Sequence, residues 1–275
     1  MALGKMLEVA GPLAAKTAGL VDALRRLCPV VVAFSGGIDS SVLLAAAREA
    51  CGDGVVAVTA SSATYPRREL EEARQIAALA GVRHRLIKTR EVDDPAFSAN
   101  PLNRCYHCKR ELFRTLAELA SAEGYRAVVE GSTVDDLGDF RPGEQAAREL
   151  EVISPLRQAG LSKSDVRALA RAIGLPNWDK PAAACLASRF PYGTEITREG
   201  LARIERIEDV LHDLGFPQVR ARVHGDLLRL EIEPALIEAA SREDTRGKIV
   251  QAARREGFRF VALDLAGYRT GSFNP

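Results

Sequence analysis

The chain reads as an α/β protein: a doubly wound, mostly parallel sheet followed by a small C-terminal α+β domain. Two observations predict this. Strand and helix signals alternate through the first two thirds of the 275 residues. Near residue 195 that rhythm gives way to a long helix and two strands of alternating polarity. The composition, 47% hydrophobic and 27% charged, is that of an ordinary globular protein with one large domain, or one medium and one small.

Taken in order, residues 1–27 have neither the cleavage pattern of a secretory signal nor an apolar run long enough for a bilayer, and they read as an amphipathic helix. Residues 30–34 form an apolar strand and 38–50 a helix. A strand at 55–60, a helix at 67–80 and a strand at 82–88 follow. After a loop with Pro and Asn comes a helix near 109–122, then strands at 126–130 and 152–154 and a helix at 163–173. Past "GLPNWDKPAAACLASRFPYGTEIT" the pattern predicts a helix over 198–214, the strands "VRARVHG" and "LLRLEIE", another helix, and a last strand "FRFVALDL". We place the domain boundary at 195/196, with no internal repeat and no low-complexity tract on either side.

Lys+Arg 38 against Asp+Glu 37 leaves a net charge of +1, so no global basic field favours a nucleic-acid partner. No membrane partner is expected, and a cytoplasmic location is the default. In that reducing compartment the five cysteines are expected to be free, metal-bound or reactive. Cys28 and Cys51, beside a strand start and at a helix end, read as small apolar residues.

The turn "SGGIDSS", Ser35 to Ser41, sits between the first strand and its helix, where open α/β sheets bind ligands. Gly36 and Gly37 allow positive φ and bare N–H groups, the helix N-terminus favours an anion, and Ser40 and Ser41 add hydroxyl donors. Asp39 either orients the loop or helps to hold Mg²⁺. The turn lacks Walker A spacing and resembles the SGGxDS signature of the PP-loop ATP pyrophosphatase superfamily, with its adenine nucleotide alpha hydrolase-like fold. That resemblance implies cleavage of ATP to AMP and pyrophosphate. It also points to "VTASSATYP", with Thr59, Ala60 and Ser61 as adenine contacts, and to "VVEGSTVDDLGDFRPG". In the latter, Gly131 faces the nucleotide, Asp135 and Asp136 are candidate Mg²⁺ ligands, and Arg141 is a candidate phosphate contact.

An activated intermediate needs a nucleophile. No glutaminase domain is legible, so the soft nucleophiles Cys105, Cys108 and Cys185 come forward. Cys185 lies between Lys180 and Arg189, a setting in which thiolates form. "KPAAACLASRFPYGTEIT", "GSTVDDLGDFRPG" and the tail "LDLAGYRTGSFN" together resemble the LarE family of ATP-dependent sacrificial sulfur transferases, over nearly the whole chain. The resemblance implies sulfur insertion into pyridinium-3,5-biscarboxylic acid mononucleotide during synthesis of a nickel-pincer cofactor, with Cys185 as catalytic residue. It further implies that Arg220 and Arg222, on one face of a strand, hold the substrate phosphate. A homo-oligomer, trimeric or hexameric, is expected from exposed strand arginines facing a neighbouring copy.

"NPLNRCYHCKRELF" adds a CxxC pair. A thioredoxin-like pair normally opens a helix directly after a strand, and this one follows a long loop. A zinc site would need His107 or distant cysteines as further ligands. The reading we carry forward is a [4Fe–4S] cluster on Cys105, Cys108 and Cys185, with one iron left open to carry sulfide, as in a three-cysteine branch of the family. Two other functions stand beside this one: a PP-loop tRNA thiolase, and a non-catalytic ATP-binding or iron–sulfur sensor.

Overall fold

The computed structural model describes residues 3–138, 142–181 and 184–269. The chain divides into two compact units, Met1–Glu91 with Asn103–Ala183, and Val92–Leu102 with Ala184–Pro275.

In the first unit, β1 (Val30–Ala33), β2 (Val55–Ser61), β3 (Arg83–Lys88) and β4 (Ala127–Val129) form a parallel sheet in the order β3-β2-β1-β4. Unbroken valine-rich runs suit strands covered on both faces. Val30 and Val32 enter one core with Leu24 of α1 (Ala14–Leu27), Leu43 of α2 (Ile38–Cys51), Ile76 of α3 (Arg67–Leu79) and Leu169 of α8 (Lys163–Ala172). Val31 faces the other way, onto Phe113 and Leu116 of α5 (Arg104–Glu123) and Ala146 of α6 (Pro142–Glu149). This alternation follows from the two-residue period of a strand. The strand order reverses between β1 and β4, so the crevice at their carboxyl ends is the fold's natural ligand site.

Three expectations need correction in this unit. The strand at 152–154 is a single bridge from Ile153 to Val129, because Pro155 opens α7 (Pro155–Gln158) directly afterwards. The N-terminal helix starts only at Ala14, after a 3₁₀ turn at Gly11–Leu13. Cys28 and Cys51 are not two separate apolar residues. They stand just past the end of α1 and at the end of α2, their Cα atoms are 5.5 Å apart, and they form a disulfide. The packing of α1 against α2 brings the two helix ends together.

The second unit holds β5 (Val219–His224), β6 (Leu227–Ile232) and β7 (Phe260–Leu263), with β5 antiparallel and β7 parallel to β6. The helix α9 (Arg198–Asp213) buries Leu201, Ile204, Ile207 and Leu211 along one stripe, and Thr197 caps it by accepting from the Gly200 N–H at 3.0 Å. The helices α10 (Ile237–Ser241) and α11 (Glu243–Arg255) link β6 to β7. This unit begins earlier than residue 196 and takes in α4 (Pro95–Ser98). Asn100 Nδ2 donates to the Pro191 carbonyl at 2.7 Å, Ile196 N–H to the Ser98 carbonyl at 2.8 Å, and Arg198 pairs with Asp93 at 2.7 Å. Those bonds, spread over residues 93–198, tie the segments together more firmly than sequence order suggests. Among the described residues no helix is long and apolar enough to cross a membrane.

Candidate nucleotide site and thiol sites

The turn after β1 is braced by its own hydroxyls and by donors from Tyr65 and Asn177. Gly36 has φ +69°, and a Cβ there would stand 2.9 Å from the Cβ of Ala73 on α3. Only glycine fits both conditions. Ser40 Oγ and Ser41 Oγ donate to the Gly37 carbonyl at 3.0 and 2.8 Å, and both residues are buried. These hydroxyls therefore brace the loop instead of facing outward as donors to an anion, which corrects the expectation for Ser40 and Ser41. Ser35 Oγ lies 3.1 Å from Ser40 Oγ and accepts weakly from the Gly37 N–H at 3.4 Å. The Tyr65 hydroxyl donates to the Ser35 carbonyl, and burial, with Glu69 and Glu72 nearby, holds that phenol well above its ordinary range. Asn177 Nδ2 donates to the Gly36 carbonyl at 2.9 Å. What remains for a ligand is the start of α2, a 14-residue helix whose first-turn N–H groups and positive end suit phosphate.

Gly131, just past β4, closes the other side: a Cβ there would lie 3.0 Å from the Ser40 nitrogen. The acidic residues beyond it organise a lysine. Lys163 Nζ lies 2.6 Å from Asp39 Oδ2 and 3.4 Å from Asp136 Oδ1, and its N–H donates to Asp135 Oδ2 at 2.6 Å. Asp136 is buried and also accepts from the Thr133 N–H at 2.7 Å. Asp39, Asp135 and Asp136 all meet one residue, Lys163, which sequence reasoning missed. A signal was present. Ser162 and Asp165 form a capping box that puts Lys163 at the first position of α8, where a cation opposes the helix dipole. Such a placement calls for anions nearby. Arg141 lies outside the described residues.

At the end of β2, Thr59 is buried, and its hydroxyl donates to the Phe34 carbonyl at 2.6 Å. Its single proton is then used, so His84 Nε2, 2.8 Å away, is the donor to Thr59. Burial, followed by the Arg74 charge, keeps the His84 imidazole below its usual value. Ala60 and Ser61 pair with Ile87 and Lys88 in the ladder, at the carboxyl edge where a nucleotide base would lie.

Cys105 and Cys108 fall in the first turns of α5, not ahead of a helix beginning near 109, and share one helix face. Neither is in a disulfide. Cys105 opens on a cavity of about 310 Å³ whose wall includes Lys109, Glu130, Ser132, Glu144 and Arg157. Glu130 and Ser132 flank Gly131, so this cavity adjoins the start of α2. Among the described residues no three His, Cys, Asp or Glu side chains are gathered to hold one metal ion.

Cys185 belongs to the second unit, where it is exposed, free, and sits at the head of a 3₁₀ turn at Leu186–Arg189. Its two flanking cations are already occupied. Lys180, in the first unit, is held by Glu69 at 2.7 Å and by Glu72. Arg189, 3% exposed, makes two bonds to Glu208 at 2.8 and 2.7 Å; burial works against its charge, yet Glu208 holds it above its usual value. Arg220 and Arg222 are not the exposed strand arginines expected. They are 7% and 5% exposed. Arg222 pairs with the fully buried Glu231 at 2.8 Å, and Arg220 lies over the Tyr268 ring at 5.0 Å. Carboxylates on α9 and β6 balance this charge from within the unit.

A parallel sheet with a phosphate-ready turn at its switch point defines a nucleotide-using enzyme, and the comparisons agree. Residues 29–176 match the model of the arginosuccinate synthase N-terminal HUP domain. The chain is 39% identical over 264 residues, 95% of both chains, to a pyridinium-3,5-bisthiocarboxylic acid mononucleotide synthase of Lactiplantibacillus plantarum. It is 46% identical to an uncharacterized Synechocystis protein over 89% of this chain and 91% of that one. It is 31% identical to an argininosuccinate synthase of Methanothermobacter thermautotrophicus over 54% of this chain and 40% of the other. The chain belongs to the LarE family, whose ATP-using PP-loop domain it carries, and it is an ATP-dependent sulfurtransferase.

Proposed function

We propose that the chain adenylates a carboxylate of pyridinium-3,5-biscarboxylic acid mononucleotide and replaces the activated oxygen with sulfur, as a step toward a nickel-pincer nucleotide. The observation that carries this reading is the end-to-end likeness to a synthase named for the bisthiocarboxylic product. The site chemistry supports it. A substrate carboxylate oxygen attacks the α-phosphorus of ATP lying at the N-terminus of α2, and pyrophosphate leaves. Lys163 is placed to offset charge on the departing phosphates. Thr59, Ala60 and Ser61 receive the base, and Arg220 and Arg222 hold the phosphate of the acceptor. Asp39 and Asp136 carry oxygens that suit Mg²⁺ brought in with ATP.

The Cys185 thiolate then attacks the acyl carbon and expels AMP, leaving a thioester. A base takes the Cα proton of residue 185 and the Cβ–S bond breaks. The products are dehydroalanine in the protein and a thiocarboxylate on the substrate, with no oxidant or reductant consumed. The two cysteines of the CxxC pair at the head of α5, three positions apart, favour a second source of sulfur. A [4Fe–4S] cluster bound by Cys105, Cys108 and Cys185 would supply sulfide without consuming the protein, although among the described residues no three such ligands are gathered. The reading includes a cytoplasmic homo-oligomer, trimeric or hexameric, for which the edge strand β7 offers Phe260, 52% exposed.

The test supplies ATP and the dicarboxylate mononucleotide with no RNA present. Pyrophosphate and thiocarboxylate are expected together, and Cys185→Ala should lose the second while keeping the first. Pyrophosphate release indifferent to the carboxylate would overturn the proposal, in favour of a thiolase or a binding protein. Intact mass after turnover separates the sulfur sources: loss of the mass of H₂S at residue 185 marks sacrifice, and unchanged mass over several turnovers marks carried sulfide.

A further inference from the structure

The turn that carries Cys185 is held by buried charge in a way that no motif announces. Arg189 Nη1 donates to the Ala184 carbonyl at 2.8 Å and the Cys185 carbonyl at 3.1 Å, and lies 3.0 Å from Ser188 Oγ. Its other two donor atoms, Nε and Nη2, are bound by Glu208. Glu208 is itself anchored, accepting from the Ala221 N–H on β5 at 2.8 Å. The far end of the turn is fixed from the same strand, where Arg222 Nη1 donates to the Ser188 carbonyl at 2.7 Å. Inside the turn, the Ser188 N–H closes onto the Cys185 carbonyl at 3.0 Å. The thiol itself is exposed, while the backbone on both sides of it is tied to α9 and β5.

We propose that Arg189 and Glu208 are a positioning pair that sets the Cys185 main chain for sulfur transfer, with Arg222 securing the other end of the turn. The inference rests on the sulfur-transfer reading for its purpose, but not for its geometry. A guanidinium is required because five acceptor atoms in two directions must be met from one planar group; an ammonium on a flexible stem cannot reach them together. The electrostatics are consistent, since a carboxylate and a guanidinium this deeply buried are tolerated only when paired and hydrogen-bonded.

Hydrogen exchange on the full-length protein, read by mass spectrometry over residues 184–190, comes first. In wild type the Ser188 and Phe190 amides, bonded to the Cys185 and Ala187 carbonyls inside the turn, should exchange well below the rate of an unstructured peptide, and a turn that exchanges at that rate overturns the proposal without any variant. Arg189→Lys should then raise exchange over 184–190 about tenfold or more, with other regions unchanged. It should also speed alkylation of Cys185 by iodoacetamide at a fixed pH. Sulfur transfer should lose about 10- to 100-fold in kcat, with the KM for ATP within about twofold. Glu208→Gln asks the same question if the lysine variant does not fold: one anchoring oxygen remains, so the same readouts should move in the same direction by less. Unchanged exchange and alkylation in a folded variant overturn the clamp. If wild type transfers no sulfur, the sulfur-transfer reading fails on that measurement alone, while exchange and alkylation still decide whether the clamp exists.

Discussion

The nucleotide turn and the cysteine turn solve one problem, holding a short loop still, by opposite means. From Ser35 to Ser41 the backbone is held by neutral groups: hydroxyls of the turn on the Gly37 carbonyl and beside one another, with Tyr65 and Asn177 donating to the Ser35 and Gly36 carbonyls, while the one charged contact, Lys163 on Asp39, engages a side chain. Around Cys185 the partners are 19 and 34 positions away and charged, Glu208 for Arg189 and Arg222 for Ser188. Neutral bracing of the backbone leaves the N–H groups at the start of α2 as the receptor for an anion. Around the exposed thiol, buried Leu186 and Ala187 anchor the segment, and fixed charge sets the main chain on either side. Local bracing fails through backbone geometry, and remote bracing fails through unpaired charge.

The largest expected effect is therefore in the second unit. Arg222→Met removes one partner of Glu231, which is 0% exposed, and should cost about 3 kcal/mol of unfolding free energy. The value lies toward the low end for a buried pair because Arg229 still reaches Glu231 at 2.9 Å. Lys163→Ala breaks a half-exposed pair, 43% and 31%, and should cost below about 1 kcal/mol. Chemical denaturation of the two variants side by side breaks the comparison if their losses are equal. Gly36→Ala comes next, at about 1–3 kcal/mol, since the residue holds φ +69° and its new methyl meets Ala73. Its signature is the reverse of Arg222→Met: modest loss of stability, but pyrophosphate release lowered about 100-fold, because the first turn of α2 is displaced. Release that stays normal in a folded Gly36→Ala protein would show that the loop tolerates movement.

The same contrast explains what the sequence disclosed. The four sheet strands and the nucleotide turn were legible because their cause is local: valine runs, a glycine pair and a helix start within a dozen residues. The CxxC register was misjudged by one helical turn, since Asn103 caps α5 without a side-chain hydrogen bond to mark the start. Arg220 and Arg222 looked like a solvated face because alternation says which side of a strand a residue takes, and nothing about what covers that side. Their counter-charges, Glu208 and Glu231, come from α9 and β6. The Cys28–Cys51 bond was hidden for the same reason, as two helix ends meet only once the helices pack. Lys163 was discoverable, at a helix position that disfavours it.

The smallest effect compares the units through their histidines. His84, beside the nucleotide turn, is lowered by burial and by Arg74; His224, in the second unit, is lowered by burial, Arg229 and Arg222. Above the ordinary imidazole value of 6.5 both are neutral in folded and unfolded chains, and stability is at its full level. As pH drops below 6.5 the unfolded chain takes up protons first, so stability declines until each folded-state value is passed. His84 keeps its Nε2–H donation to Thr59 in either state, so what is lost there is the cost of a buried charge and not a hydrogen bond. His84→Gln should flatten the fall in melting temperature below pH 6.5, and His224→Gln should flatten it less, its ring being the more exposed. Melting curves of wild type and both variants across that range check this. Equal slopes in all three would place the acid sensitivity of the fold in its carboxylates, and would mean that the nucleotide turn admits a charged imidazole as readily as the surface does.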